Sequence, residues 1–191
     1  PITPSNQPPA HVENWKKGTA NVFMWMVYGL GLGSERPNKI YHGWRKIDQE
    51  HFDSLEYPSY FGLDFGTANP TALTEVKYDG NGAMYICKRL YKPLGEIEDS
   101  LATVIKTQVK QIEKGKHYVI CDSAKEAYID ILKNEGYLAM KANKGAGSID
   151  AGISIVQSFT IYHVYSDELD KEYSYYSWQL DRNGKPTDVP V

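Results

Sequence analysis

Apolar positions along this chain follow two periods, and from Tyr60 onward the two alternate segment by segment. "YFGLDF" (60–65) reads as a short buried strand that ends on an acid. "TALTEVKY" (71–78) and "AMYICKRLY" (83–91) flank Asp79-Gly80-Asn81-Gly82, whose Gly and Asn residues tolerate the positive φ of a hairpin turn. Three antiparallel strands are predicted. In "GEIEDSLATVIKTQVKQIEKGK" (95–116) the residues Ile97, Leu101, Val104, Ile105, Val109 and Ile112 share one helical face, acids crowd the first turn and Gly115 ends the segment. "HYVICD" (117–122) returns to a strand, residues 123–136 form a helix capped by Ser123 and closed by Gly136, and "YLAMKA" (137–142) is a further strand. A glycine-rich loop then leads into a helix over 148–158, a strand over 159–165, a short helix over 166–175 and a hairpin around Asn183-Gly184.

Residues 1–58 lack this regularity. They combine a Pro-rich start, the aromatic cluster Trp15, Phe23, Trp25 and Tyr28, and "KIYHGWRKI" (39–47), which reads as a short strand. The expectation is a lead-in packed on a core domain that occupies 59–191. The order β-β-β-α-β-α-β within that domain predicts an α/β fold of the ribonuclease H-like type. Its mixed sheet has three antiparallel strands followed by parallel ones, with helices on both faces. Such a fold does not fix a function.

Composition narrows the classes. The chain has 191 residues, 41% apolar and 13% aromatic, enough for a sizeable core. A net charge of -3 gives no global attraction to nucleic acid, so any such binding must be local. Cys87 and Cys121 sit in apolar runs at no metal-ligand or disulfide-framework spacing and read as packed, reduced thiols, which suits a reducing, cytoplasmic setting. The longest uncharged run, 18–34, is too short and too glycine-rich to span a bilayer, and no membrane association is expected. Gly29, Gly31 and Gly33 lack the strand-turn-helix setting of a nucleotide fingerprint, and the N-terminal residues do not read as a signal peptide.

The candidate chemistry rests on two acids. Asp64 closes the first core strand and Asp122 the fourth, and in the predicted topology those strands are parallel neighbours, so both carboxylates emerge at one edge. Converging carboxylates repel unless a cation compensates them, and hard oxygen ligands suit Mg²⁺ or Mn²⁺. Two such ions about 3.5–4 Å apart can hydrolyse a phosphodiester. Either aspartate alone would more simply cap a turn. Positive charge is uneven: Lys106 to Lys144 holds eight lysines against five acids, whereas Gly145 to Val191 holds three basic residues against seven acids. Lys141 and Lys144, beside the loop "KGAGS" and with Ser148 opening a helix nearby, are the candidates for phosphate contact. His117 and His163 have no partner at ligand spacing and read as packing residues.

Four segments in order, "VYGLGLGSERPNKIYHGWRKI", "FGLDFGTANPTA", "VICDSAKEAYIDILKNEGY" and "KANKGAGSIDAGISIVQ", resemble the C-terminal nuclease domain of the large terminase subunit of tailed bacteriophages. The resemblance implies an endonuclease that cuts concatemeric double-stranded viral DNA with two divalent metal ions. Asp64 then matches the family's first metal-binding acid and Asp122 its second. It also implies a preceding ATPase domain, a small terminase subunit and a portal or procapsid as partners, and action in the host cytoplasm during virion assembly. Two features depart from the family. No GxxxxGK[ST] loop is present, so the ATPase half is absent and 1–58 reads as the connection from it. The family's third acid, carried on a C-terminal helix, finds no match either. Asp188 lies in a Pro-flanked segment read as a loop. The expectation is therefore a piece cut from a longer subunit, feebly active or inactive by itself. Two alternatives stand beside this reading. "FGLDFGTANPTA" also resembles the first phosphate loop of the actin, heat-shock chaperone and sugar-kinase ATPases, although no second glycine run follows Asp122. A non-catalytic DNA-binding module could use the same core.

Overall fold

A computed structural model describes residues 38–66, 69–93, 100–122 and 125–191. Two compact units are distinguished: Tyr41–Tyr173 and, among the described residues, 38–40 with Ser174–Val191. The larger unit is built on strands β1 (Arg45–Ile47), β2 (Ser59–Asp64), β3 (Pro70–Tyr78), β4 (Ala83–Pro93), β5 (Tyr118–Cys121), β6 (Leu138–Lys141) and β7 (Thr160–Val164). They form one sheet in the order β1-β7-β4-β3-β2-β5-β6. β2, β3 and β4 are an antiparallel meander, β5 and β6 add in parallel beside β2, and β7 and β1 add in parallel beside β4. The predicted hairpin turn is present: Asp79 Oδ1 accepts the N–H groups of Asn81 at 2.7 Å and Ala83 at 2.9 Å, while Gly80 and Gly82 take φ of 80° and 101°.

Five helices are found among the described residues: α1 (Gln49–Ser54), α2 (Leu101–Gln108), α3 (Glu126–Asn134), α4 (Ser148–Gln157) and α5 (Asp167–Tyr175). Phe61, Leu63, Leu73, Val119 and Cys121 on one sheet face pack with Leu101, Ile105, Ile129 and Leu132 of α2 and α3 into the main core. On the other face α5 is tied down through Lys88 to Glu168 at 2.6 Å and Lys46 to Asp170 at 2.5 Å. His163 is buried beside the rings of Trp44 and Tyr173, and His117 packs its ring on Phe61, so both histidines have packing roles. Cys87 and Cys121 are free, buried thiols, and burial pushes the Cys121 thiol up to about 11.

Several local expectations need correction. The helix predicted over 95–116 is described only over Leu101–Gln108, with Ser100 as its N-cap. Val109 then leaves helical geometry, yet Val109 and Ile112 remain buried, so the apolar spacing reports the core-facing side and not the helix length. Helix α3 begins at Glu126 behind an N-cap at Lys125, whose side chain makes no capping hydrogen bond. The strand predicted over 39–47 shrinks to Arg45–Ile47, because Gly43 at φ 71° turns the chain just before it. The stretch read as an irregular lead-in contains α1, capped by Asp48 and burying Phe52. Asp188 lies in a strand, β9 (Pro186–Pro190), which pairs with β8 (Trp178–Leu180) around Gly184 at φ 75°. Trp15, Phe23, Trp25, Tyr28, the 18–34 run with its glycines, Ile97 and Ser123 lie outside the described residues. No helix among the described residues is long and apolar enough to cross a membrane.

Candidate metal centre

The break after "YFGLD" has a physical cause. Side chains alternate along β2, so Phe61 and Leu63 enter the core while Tyr60, Gly62 and Asp64 face outward. The chain then turns at Gly66, where a Cβ would stand 2.1 Å from the Asn69 carbonyl oxygen and 2.5 Å from that of Pro70. Only glycine fits that close approach. The fully buried Thr71 locks the turn: its hydroxyl donates to the Gly66 carbonyl at 3.0 Å and accepts the Gly66 N–H at 3.1 Å. Asp64 is thereby held on a fixed stem, with its carboxylate accepting the Phe65 N–H.

Asp122 arrives from the neighbouring strand. β5 runs parallel to β2 with Leu63 opposite Cys121, and the Asp122 N–H donates to the Leu63 carbonyl at 2.8 Å, which carries the register one residue further. The two carboxyl groups are hydrogen-bonded to each other. Burial, the charge of Asp122 and that shared hydrogen bond all raise the Asp64 carboxyl above its ordinary value, and Lys144 opposes them in part. Tyr60, Tyr118, Ile120 and Met140 are exposed along the sheet face leading to the pair.

The three basic-loop candidates separate. β6 delivers the chain past the pair, since Lys141 lies opposite Cys121 and the Ala142 N–H donates to the Cys121 carbonyl at 2.7 Å. Lys141 forms an ion pair with Glu126 on α3. Lys144, in the following loop, places its Nζ 2.6 Å from Asp122 Oδ1. Ser148 is the first residue of α4, behind an N-cap at Gly147 with φ 75°, and its N–H is taken by the Gly145 carbonyl at 3.1 Å. Sequence reasoning brought Asp64 and Asp122 together but missed that Lys144 joins them. It also missed Thr71 as the clasp of the Gly66 turn, for which the pairing of a glycine with a threonine five residues on was the available signal.

The donor set suits a hard divalent cation. Its oxygens come from two carboxyl groups set side by side, and an ammonium group already rests where a cation would be attracted. No group of three or more His, Cys, Asp or Glu side chains able to hold a metal is present among the described residues.

A three-stranded antiparallel meander extended by parallel strands, with one acid ending β2 and another directly following β5, defines a ribonuclease H-like α/β domain. No protein-family model matches the chain, and no curated protein sequence does. The fold recurs in solved structures. The large terminase nuclease domain of bacteriophage SPP1, solved with bound Mn, aligns with a TM-score of 0.64 at 20% identity over 79% of this chain and 88% of that one. The P22 large terminase nuclease domain aligns with a TM-score of 0.54 at 16% identity, covering 81% of this chain and 82% of its own. A large terminase from a thermophilic bacteriophage aligns with a TM-score of 0.59 at 23% identity over 97% of this chain and 48% of its own, so this chain spans about half of that protein. The chain thus has the fold of large terminase nuclease domains.

Proposed function

We propose that this chain is the nuclease module of a viral DNA-packaging terminase, a divalent-metal-dependent endonuclease acting on double-stranded DNA. The observation that carries the reading is the pair Asp64 and Asp122, side by side at the ends of neighbouring parallel strands, in a fold shared with a nuclease domain solved with Mn. Both carboxylates would hold the ion, with Asp64 oriented by the Gly66–Thr71 clasp. When bound, Mg²⁺ or Mn²⁺ would supply Lewis acidity to activate water and stabilise the leaving oxygen of the phosphodiester. Two carboxylates balance one divalent charge, so a second ion would draw on DNA phosphate and on a further acid beyond the described residues. Lys141, Lys144 and the start of α4 at Ser148 would line the phosphate path. The exposed sheet face beside the pair would receive the duplex. An ATPase domain, a small terminase subunit, a portal or procapsid, and action in the host cytoplasm belong to the same proposal.

The experiment is relaxation of supercoiled plasmid with protein in excess, in Mg²⁺, Mn²⁺ or chelator. Asp64→Asn and Asp122→Asn each preserve shape and remove one charge, and each should lower nicking by at least about a hundredfold, since even outer partners of metal ligands cost ten- to a hundredfold. Metal-independent cleavage, or wild-type nicking by either variant with its circular dichroism unchanged, contradicts the proposal.

A further inference from the structure

Resting on the metal-centre reading above, a second property of the site follows from Lys144. Its ammonium lies 2.6 Å from Asp122 Oδ1, the carboxylate that is itself hydrogen-bonded to Asp64. The loop that carries it is anchored at both ends, by Ala142 to the Cys121 carbonyl and by Ser148 to the Gly145 carbonyl. Lys141, on the same connection, is directed to Glu126 instead. Lys144 thus delivers a cation to the pair, while its side chain stays about half exposed and can swing away at little cost. An ammonium held on Asp122 Oδ1 repels a divalent ion brought to the same carboxylate, so each weakens the other's hold.

We propose that Lys144 is a built-in counter-ion for the acid pair, which competes with the divalent cation for Asp122 and gives up its place when the cation binds. The lysine keeps two adjacent carboxylates compatible with the fold while no metal is bound, and it lowers the affinity for metal alone. The test is titration calorimetry with Mn²⁺ alone on the wild type, Lys144→Ala, Lys144→Arg and Asp122→Asn. A half-exposed ion pair is worth little, so Lys144→Ala should tighten Mn²⁺ binding by roughly two- to fivefold. Lys144→Arg, which keeps the charge, should restore wild-type affinity, and in an Asp122→Asn background Lys144→Ala should have no effect. Unchanged or weaker Mn²⁺ binding in Lys144→Ala, with the wild type binding through Asp122, overturns the counter-ion role and leaves the metal centre standing. Absence of Mn²⁺ binding in the wild type and in Lys144→Ala overturns the metal centre itself and the counter-ion role with it.

Discussion

Two groups of charge lie on the same central sheet and are built in opposite ways. Under α1, Glu75 is 2% exposed and Lys77 7% exposed, and both are fully engaged. Glu75 accepts from Ser59 Oγ at 2.6 Å and from Arg89 Nε at 2.7 Å, Arg89 also reaches Asp53 at 3.0 Å, and Lys77 donates to the carbonyls of Phe52 at 3.0 Å and Leu55 at 2.8 Å. At the ends of β2 and β5 the opposite holds: Asp64 and Asp122 lean on each other, with Lys144 set against both charges. Buried charge that is matched atom for atom holds an element in place, here α1 on the sheet. Two acids set side by side, with Lys144 set against them, have no such use and mark a candidate cation site.

The contrast breaks first at Arg89. Arg89→Ala removes the partner of the buried Glu75 and should cost about 3–5 kcal/mol in denaturant unfolding, with Mn²⁺ affinity unaltered in the folded fraction. A loss below about 1 kcal/mol would show that the network is not structural in the sense argued. At the other group the effects belong to ligands. Lys141→Ala with Lys144→Ala should weaken DNA binding across all sequences and lower the slope of log affinity against log salt by about two, one for each phosphate contact. An unchanged slope would remove this loop from the DNA path.

The smallest effect has the opposite sign to that of Arg89. Burial, and next the neighbouring Asp122, hold the Asp64 carboxyl above its ordinary value of 3.8, so the fold favours its protonated form. The stability this gives is complete below that ordinary value and is lost as pH rises through the raised one. At neutral pH the metal-free wild type therefore carries a cost that Asp64→Asn does not, and the variant should melt slightly higher. Near pH 3 the difference should vanish. A lower melting temperature for Asp64→Asn at neutral pH would mean that the pair is already compensated.

Much of this arrangement is legible in the sequence, for reasons that differ by residue. Asp64 and Asp122 each end an apolar run, and the β-β-β-α-β order makes those runs parallel neighbours, so their meeting follows from topology alone. The face of α2 is readable because burial imposes its period even where the helix itself has ended, at Val109 and Ile112. The buried network is not readable. Along β3 the inward positions are Thr71, Leu73, Glu75 and Lys77, so polarity gives no guide to which side faces in, and only the partners brought by α1 and β4 make that orientation tolerable. Helix α1 escapes notice because a single Phe52 supplies its buried surface. The approach of Lys144 to Asp122 depends on the path of a loop, which no periodicity encodes.

The most direct test is a crystal of this chain soaked in Mn²⁺ and measured at the manganese absorption edge. The account predicts an anomalous peak bridging the carboxylates of Asp64 and Asp122 at oxygen distances of about 2.0–2.6 Å, as for hard cations on carboxylates, with the Lys144 ammonium withdrawn from Asp122. Density absent from the pair at saturating Mn²⁺, with Lys144 still seated on Asp122, would contradict it.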